Sequence, residues 1–319
     1  MRQGAFRRHA GERWNRTEAV IAQLANGTHE PADEFPSLYS NLCHDLAVAR
    51  DKHFSPAVVD RLNDLVLEGH RQLYRRSDNA LVWLAHMFGV AFPATVRREW
   101  RAVIVSLLLF LGVLTAVTLW VVGRPSVIHS ILSPDLVAAF EQMYDPASER
   151  FLAPIDSESR VAMFGYYIYN NIGIALRMVG SGLLLGLGSV ASLVYNGVVL
   201  GAVSGHIVNV GHHDPFLRFV VGHAALELIA IVFAGVAGLR IGWSIIAPGR
   251  LRRSDALRLT AGRMLPLVYG ATAMLLLAAA VEAFWSPHVF PLAVEIAVGA
   301  AWFAVIVLYC LFAGRRFAL

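Results

Sequence analysis

GHAALELIAIVFAGVAGLRIGWSIIAPGR, residues 222–250, decides how this chain is read. It is long enough to cross a bilayer, yet its first turns carry His223 and Glu227. At 100° per residue, His223, Glu227, Ala230, Ala234, Gly238 and Gly242 share one face, polar at its start and small thereafter. Leu228, Ile231, Val232 and Leu239 occupy the opposite face, which is expected to meet lipid. Small residues every fourth position let a second backbone approach, which is how helices associate where apolar burial drives nothing. This helix is therefore predicted to be the packing centre of a membrane bundle.

Composition supports that class. Of 319 residues, 56% are hydrophobic and only 16% charged, a balance that excludes an ordinary soluble domain and fits several spans. Lys52 is the single lysine among 27 basic residues, so the net charge of +4 rests on arginine. Contact with anionic headgroups explains it, and no nucleic-acid motif accompanies it. Cys43 and Cys310 are far apart in sequence and support neither a disulfide framework nor a thiolate zinc site. There is no phosphate loop and no serine nucleophile motif. The chain reads as non-enzymatic and without a cofactor.

Working outward, residues 1–78 read as a helical cytoplasmic head. Apolar residues recur at helical spacing from Arg13 to Asn26 and from Phe35 to about Arg76, including Leu38, Leu42, Leu46, Ala49, Val58, Leu62 and Leu65. Residues 79–101 mix Trp83, Leu84, Phe88 and Phe92 with Arg97, Arg98 and Arg101, as expected of an interfacial amphipathic helix. Residues 102–314 form the bundle. A span over 102–122 matches ~30 Å of hydrocarbon at ~1.5 Å per residue, and 123–169 reads as a polar extracytoplasmic loop. Residues 170–210 are expected as two short helices broken near Gly186, Gly188 and Ser189, either full spans or a re-entrant pair. The central helix, a span over 266–285 and a last one over 292–313 complete an all-α fold: a polytopic α-helical membrane bundle of about six transmembrane or re-entrant helices. Arginines at 250, 252, 253, 258 and 263 and in the tail place both termini in the cytoplasm.

In this topology the polar residues fall into one outward layer. Asn170, Asn171 and Arg177 are expected at the outer end of the second span, His206 and Asn209 at that of the third, and Glu282 and Glu295 at those of the last two. Glu227 is expected roughly 10 Å inside the central helix. A charge at mid-helix costs about 2.5–3.5 kcal/mol, so Glu227 is expected to face protein or water. Either these side chains pair between helices and fix register, with Arg177 partnering Glu227 and Glu282, or they line a pocket open to the periplasm. His223 and Glu227 lie four apart on one face, but zinc needs a third ligand, so no metal site is assigned. An intramembrane metallohydrolase using His223 is the weakest reading. His212, His213 and Asp214 read as a wet turn, and Gly197, Gly201 and Gly205 as a packing face.

YNNIGIALRMVGSGLLLGLGS, LVYNGVVLGAVSG, GHAALELIAIVFAGVAGLRIG and AAAVEAFWSP, in that order behind an arginine-flanked first span, resemble the stage II sporulation protein M family of bacterial membrane proteins. The resemblance covers about residues 80–314. It matches at Asn170, Asn171, Asn196, Gly197, His223, Glu227, Gly235, Gly238, Gly242 and Glu282, with no known chemistry attached to them. It implies a polytopic bundle in the bacterial cytoplasmic (inner) membrane. In spore formers the family implies a scaffold for a peptidoglycan-degrading complex. Elsewhere it implies neighbours such as MoxR-type AAA+ ATPases and von Willebrand A domain proteins. Two functions are carried forward: a membrane scaffold for envelope-remodelling partners, with a homodimer as a further partner, or a transporter or channel for a small solute, ion or lipid headgroup.

Overall fold

The computed structural model describes residues 3–25, 34–73, 80–147, 157–288 and 290–315. The expected helix ends at Asn26 and Arg76 lie outside these, as does 148–156 of the outer loop. The described residues are almost wholly helical and contain no strand. The chain divides into two compact units, Met1–Trp83 and Leu84–Leu319, a boundary a few residues beyond the one expected at 78.

The first unit holds three helices, α1 (Gln3–Ala25), α2 (Phe35–Asp51) and α3 (Pro56–Leu73). Leu42, Leu46 and Ala49 meet Val58, Leu62 and Leu65 in its core, as the periodicity predicts, and Phe6, Ala10 and Trp14 close it. Asp45 is buried there. It accepts two hydrogen bonds from Arg13 Nη2 (2.9 and 2.7 Å) and one from Trp14 Nε1 (2.8 Å), so its charge is fully compensated.

The boundary falls in the first turn of α4 (Ala80–Arg98), which is joined at Glu99 to α5 (Trp100–Gly123). A π-bulge over Met87–Ala91 precedes Pro93, which lacks the N–H that a regular turn would use. Phe92 is buried and packs edge-on against Phe233, 5.5 Å between ring centres. By length and composition α4 is itself long and apolar enough to cross a membrane, beyond the interfacial role expected of it. Two short helices, α6 (Ile128–Ile131) and α7 (Pro134–Tyr144), follow. The remaining five are α8 (Ser157–Ser181), α9 (Leu187–Asn209), α10 (His213–Ile246), α11 (Arg253–Phe284) and α12 (Leu292–Phe312). Six helices, α4, α5 and α9 to α12, are long and apolar enough to span a membrane.

Three boundaries differ from expectation. The helix expected to begin at Asn170 begins at Ser157, so Asn170 and Asn171 sit near its middle. The helix expected from 266 begins at Arg253 and continues past Pro266, which has no N–H to give the Gly262 carbonyl. The arginine-rich stretch is thus largely helical rather than a loop. The central helix begins at His213, so Glu227 lies about 21 Å along it by helical rise rather than 10 Å.

The break between α8 and α9 falls where expected. Leu185 and Gly186 both take positive φ, 55° and 81°, which turns the chain within a few residues. That turn rests on α10: a side chain on Gly242 would strike the Gly186 backbone, and one on Gly182 would lie 2.8 Å from the Gly238 carbonyl carbon. On α9, side chains at Gly197, Gly201 and Gly205 would meet the carbonyls of Phe110, Leu114 and Thr118 at 2.7, 2.5 and 2.7 Å. These two parallel helices approach backbone to backbone, as the glycine spacing predicts. Gly235 and Gly238 likewise leave room for Ser106 and Ser189.

The packing-centre expectation for α10 holds, since it touches α5, α8, α9, α11 and α12. The lipid-facing expectation for its far side does not. Every residue from Ala230 to Gly238 is buried, Ile231 and Val232 included, because neighbours enclose the helix all round. Introducing bulk at such a contact has a direct cost: Gly201→Leu is expected to destabilise the detergent-solubilised protein by about 1–3 kcal/mol, read as a lower Tm, whereas Gly262→Leu, where open space surrounds the backbone, does not lower Tm. In the head, Asp45→Ala is expected to cost about 3 kcal/mol by stranding the Arg13–Trp14 donors, measured by denaturant titration of the full chain.

Candidate functional site

Glu227 lies on the central helix α10, half-buried among its neighbours, and those neighbours define the site. His223 lies one turn earlier on α10, so the two side chains stack on one face. Glu282, from the last turn of α11, completes the group: one ligand atom from each of His223, Glu227 and Glu282 lies within 4.8 Å of the other two. The site thus brings two carboxyl groups together, with an oxygen of Glu227 within 4.8 Å of one of Glu282. Glu282 Oε2 is fully buried and accepts no hydrogen bond.

A surrounding set of side chains orients this trio. Asn171, from the middle of α8, donates its amide Nδ2 to Glu227 Oε1. His223 is 3% exposed, and its Nδ1 is 3.1 Å from the Ser286 hydroxyl just beyond α11. Three helices, α8, α10 and α11, therefore meet through polar contacts at one level. Above them α7 supplies Tyr144, whose ring packs edge-on against Phe216 (5.1 Å) and lies 6.3 Å from that of Phe219; Phe219 in turn packs edge-on against the His223 imidazole (5.5 Å). Burial, with the nearby Glu282 and Glu227 carboxylates, pushes the Tyr144 phenol well above its ordinary value.

Other predicted members of the layer lie elsewhere. Arg177 is exposed on α8 and lies along its own helix by Gly173, so it does not partner the carboxylates. Asn170 bonds to Asn171, one step from the trio. Asn196 donates to the Ser192 carbonyl of its own helix. His206 is buried beside Glu141 of α7, Nε2 to Oε1 2.7 Å. Glu295 is fully buried in a second cluster, where the Trp285 indole donates to both its oxygens (3.1 and 3.2 Å) against the bare backbone of Gly222. The single layer of the sequence reading is thus several separate clusters.

Sequence reasoning missed Tyr144 and Ser286, which carry no periodic or motif signal. It also missed Glu99, which is 8% exposed at the α4–α5 joint and pairs with Arg98 (3.1 Å) and Arg240 (2.8 Å). An acid in an arginine-rich stretch was the available clue.

Residues 103–287 match the family described as Stage II sporulation protein M, 185 of 319 residues counting both ends. The chain belongs to the stage II sporulation protein M family. Residues 4–75 match a second family, described as a domain of unknown function, DUF8413. No curated protein and no solved structure matches the chain. The sporulation-family match contains Asn171, His223, Glu227, Glu282 and the Tyr144 cap, whereas Glu295 and the head fall outside it.

The cap makes a measurable difference to alkaline behaviour. Because the folded Tyr144 binds its proton more tightly than the unfolded chain does, its contribution to stability is complete below about pH 10 and is lost as pH rises through the folded value. Ultraviolet titration is expected to show a late-ionising tyrosine signal that is lost in Tyr144→Phe.

Proposed function

We propose that this protein is a non-enzymatic membrane scaffold that holds envelope-remodelling partners at the bacterial cytoplasmic membrane. The observation that carries the proposal is how the charged groups of the bundle are used. Glu99 joins Arg98 to Arg240, Arg218 Nη1 donates to the Phe290 carbonyl (2.6 Å), Arg97 Nη1 donates to the Cys310 carbonyl (2.7 Å), and Glu295 meets Trp285. These polar groups bind element to element rather than lining a path, and an unpaired charge among them would be costly. Backbone contacts at Gly182, Gly186, Gly197 and Gly201 support a bundle that is rigid where a carrier would need to slide.

On this reading both termini are cytoplasmic, and the helical head and the arginine-rich start of α11 face that side. The helical cap α6–α7 faces outward. The partners are those the family resemblance implies: cell-wall-remodelling membrane proteins, a MoxR-type AAA+ ATPase, a von Willebrand A domain protein, or a second copy of the chain. The second reading, a transporter or channel, draws its support from one feature, the unpartnered Glu282 Oε2 beside Glu227.

The two separate on Glu227→Gln. The scaffold reading expects a lower Tm in detergent, by a few degrees or more, with reduced membrane levels and loss of co-purification with a co-expressed partner. A variant with wild-type Tm and wild-type levels that has lost a solute or ion flux in proteoliposomes would replace scaffold with transport.

A further inference from the structure

We propose that His223, Glu227 and Glu282 form a binding site for one divalent transition-metal ion, which clamps α10 to α11 beneath the Tyr144 cap. This goes beyond the scaffold reading and does not depend on it. The pair His223 and Glu227 alone lacked a third ligand, and the fold supplies Glu282 from a residue 55 positions away, counting from Glu227.

Four observations converge. The ligand atoms already lie within 4.8 Å of one another, so an ion holding them at ~2.0–2.2 Å requires them to close by roughly an ångström, within the reach of side-chain rotation. Two carboxylates share a site walled by apolar helices, where like charges cannot both persist uncompensated. With a neutral imidazole, a doubly charged cation brings that site to zero net charge. Glu282 Oε2 is buried without a hydrogen-bond donor, a lone pair that a cation would use. Finally, the supporting contacts are those that metal sites employ: Ser286 holds His223 Nδ1 and leaves Nε2 for the ion, while Asn171 fixes one oxygen of Glu227.

The donor set of one imidazole and two carboxylates, with no thiolate, suits zinc, manganese or iron rather than copper(I) or an iron–sulfur cluster. Calcium and magnesium are disfavoured, since they take six or more oxygens or keep several waters. Three protein ligands leave one coordination position for water.

The test uses the full chain in detergent micelles, stripped with a chelator and titrated with zinc chloride and, separately, manganese chloride. The expected result is saturable binding of one ion per chain by elemental analysis and calorimetry, with a Tm raised by the ion. Glu282→Gln is expected to weaken that binding by at least about tenfold and to abolish the thermal shift, while Glu295→Gln retains both. Should Glu282→Gln unfold, His223→Gln is measured in its place against the same Glu295→Gln control. No stoichiometric binding of either ion to the folded wild type overturns the site. So does binding that survives Glu282→Gln, which would place the ion at surface histidines such as His212 and His213, or a Tm indifferent to metal, which would leave a shared proton as the occupant of the two carboxylates.

Discussion

The architecture depends on backbone-to-backbone contact at glycine. Lipid tails are as apolar as leucine, so helices gain nothing by hiding apolar surface from one another in a bilayer, and close packing must supply the attraction instead. Removing side chains at Gly182, Gly186, Gly238 and Gly242 lets the α8–α9 turn lie directly on α10, and the stripe Gly197, Gly201 and Gly205 does the same for α9 on α5. Those contacts enclose α10 so completely that nine successive residues, Ala230 to Gly238, are buried. An enclosed helix is also one that can carry ionisable groups, because protein rather than hydrocarbon surrounds them.

That enclosure explains where the polar residues collect. Each cluster sits where two or three elements already converge: Glu99 at the α4–α5 joint, Glu295 beside Gly222, and the His223, Glu227 and Glu282 trio where α8, α10 and α11 meet under α7. The first two are satisfied by groups of the protein itself. The trio differs in having two carboxyl groups close together and a buried oxygen left over, and this asymmetry makes it the chemically open position of the bundle.

Much of the fold was legible because membrane solvent imposes simple rules. Length and composition identified five of the six long apolar helices, α4 having been read as interfacial, and glycine spacing identified the interfaces of α9 and α10. The head core followed from the 3.6-residue period of Leu42, Leu46, Val58 and Leu62. Helix starts were less legible. Ser157–Tyr169, Arg253–Arg263 and His213–Val221 are polar or mixed and read as loop, yet each continues a helix beyond its apolar stretch, since α10 and α11 at 34 and 32 residues are far longer than one hydrocarbon thickness. The far face of α10 was read as lipid-facing for a related reason: apolar side chains look alike whether lipid or another helix covers them.

By itself, the sequence determined that this is a membrane bundle of the sporulation-protein family centred on residues 222–242, because hydrophobic length, glycine spacing and the costly ionisable side chains of His223 and Glu227 are written locally along the chain. Only the tertiary structure decided which polar residues meet. Helical periodicity specifies the face of one helix, whereas the pairing of Glu227 with Glu282 and Asn171, the exclusion of Arg177 and the placing of Tyr144 over the trio depend on the rotation and depth of different helices against one another. Those are set by the summed fit of many weak contacts, and no single stretch of sequence contains them.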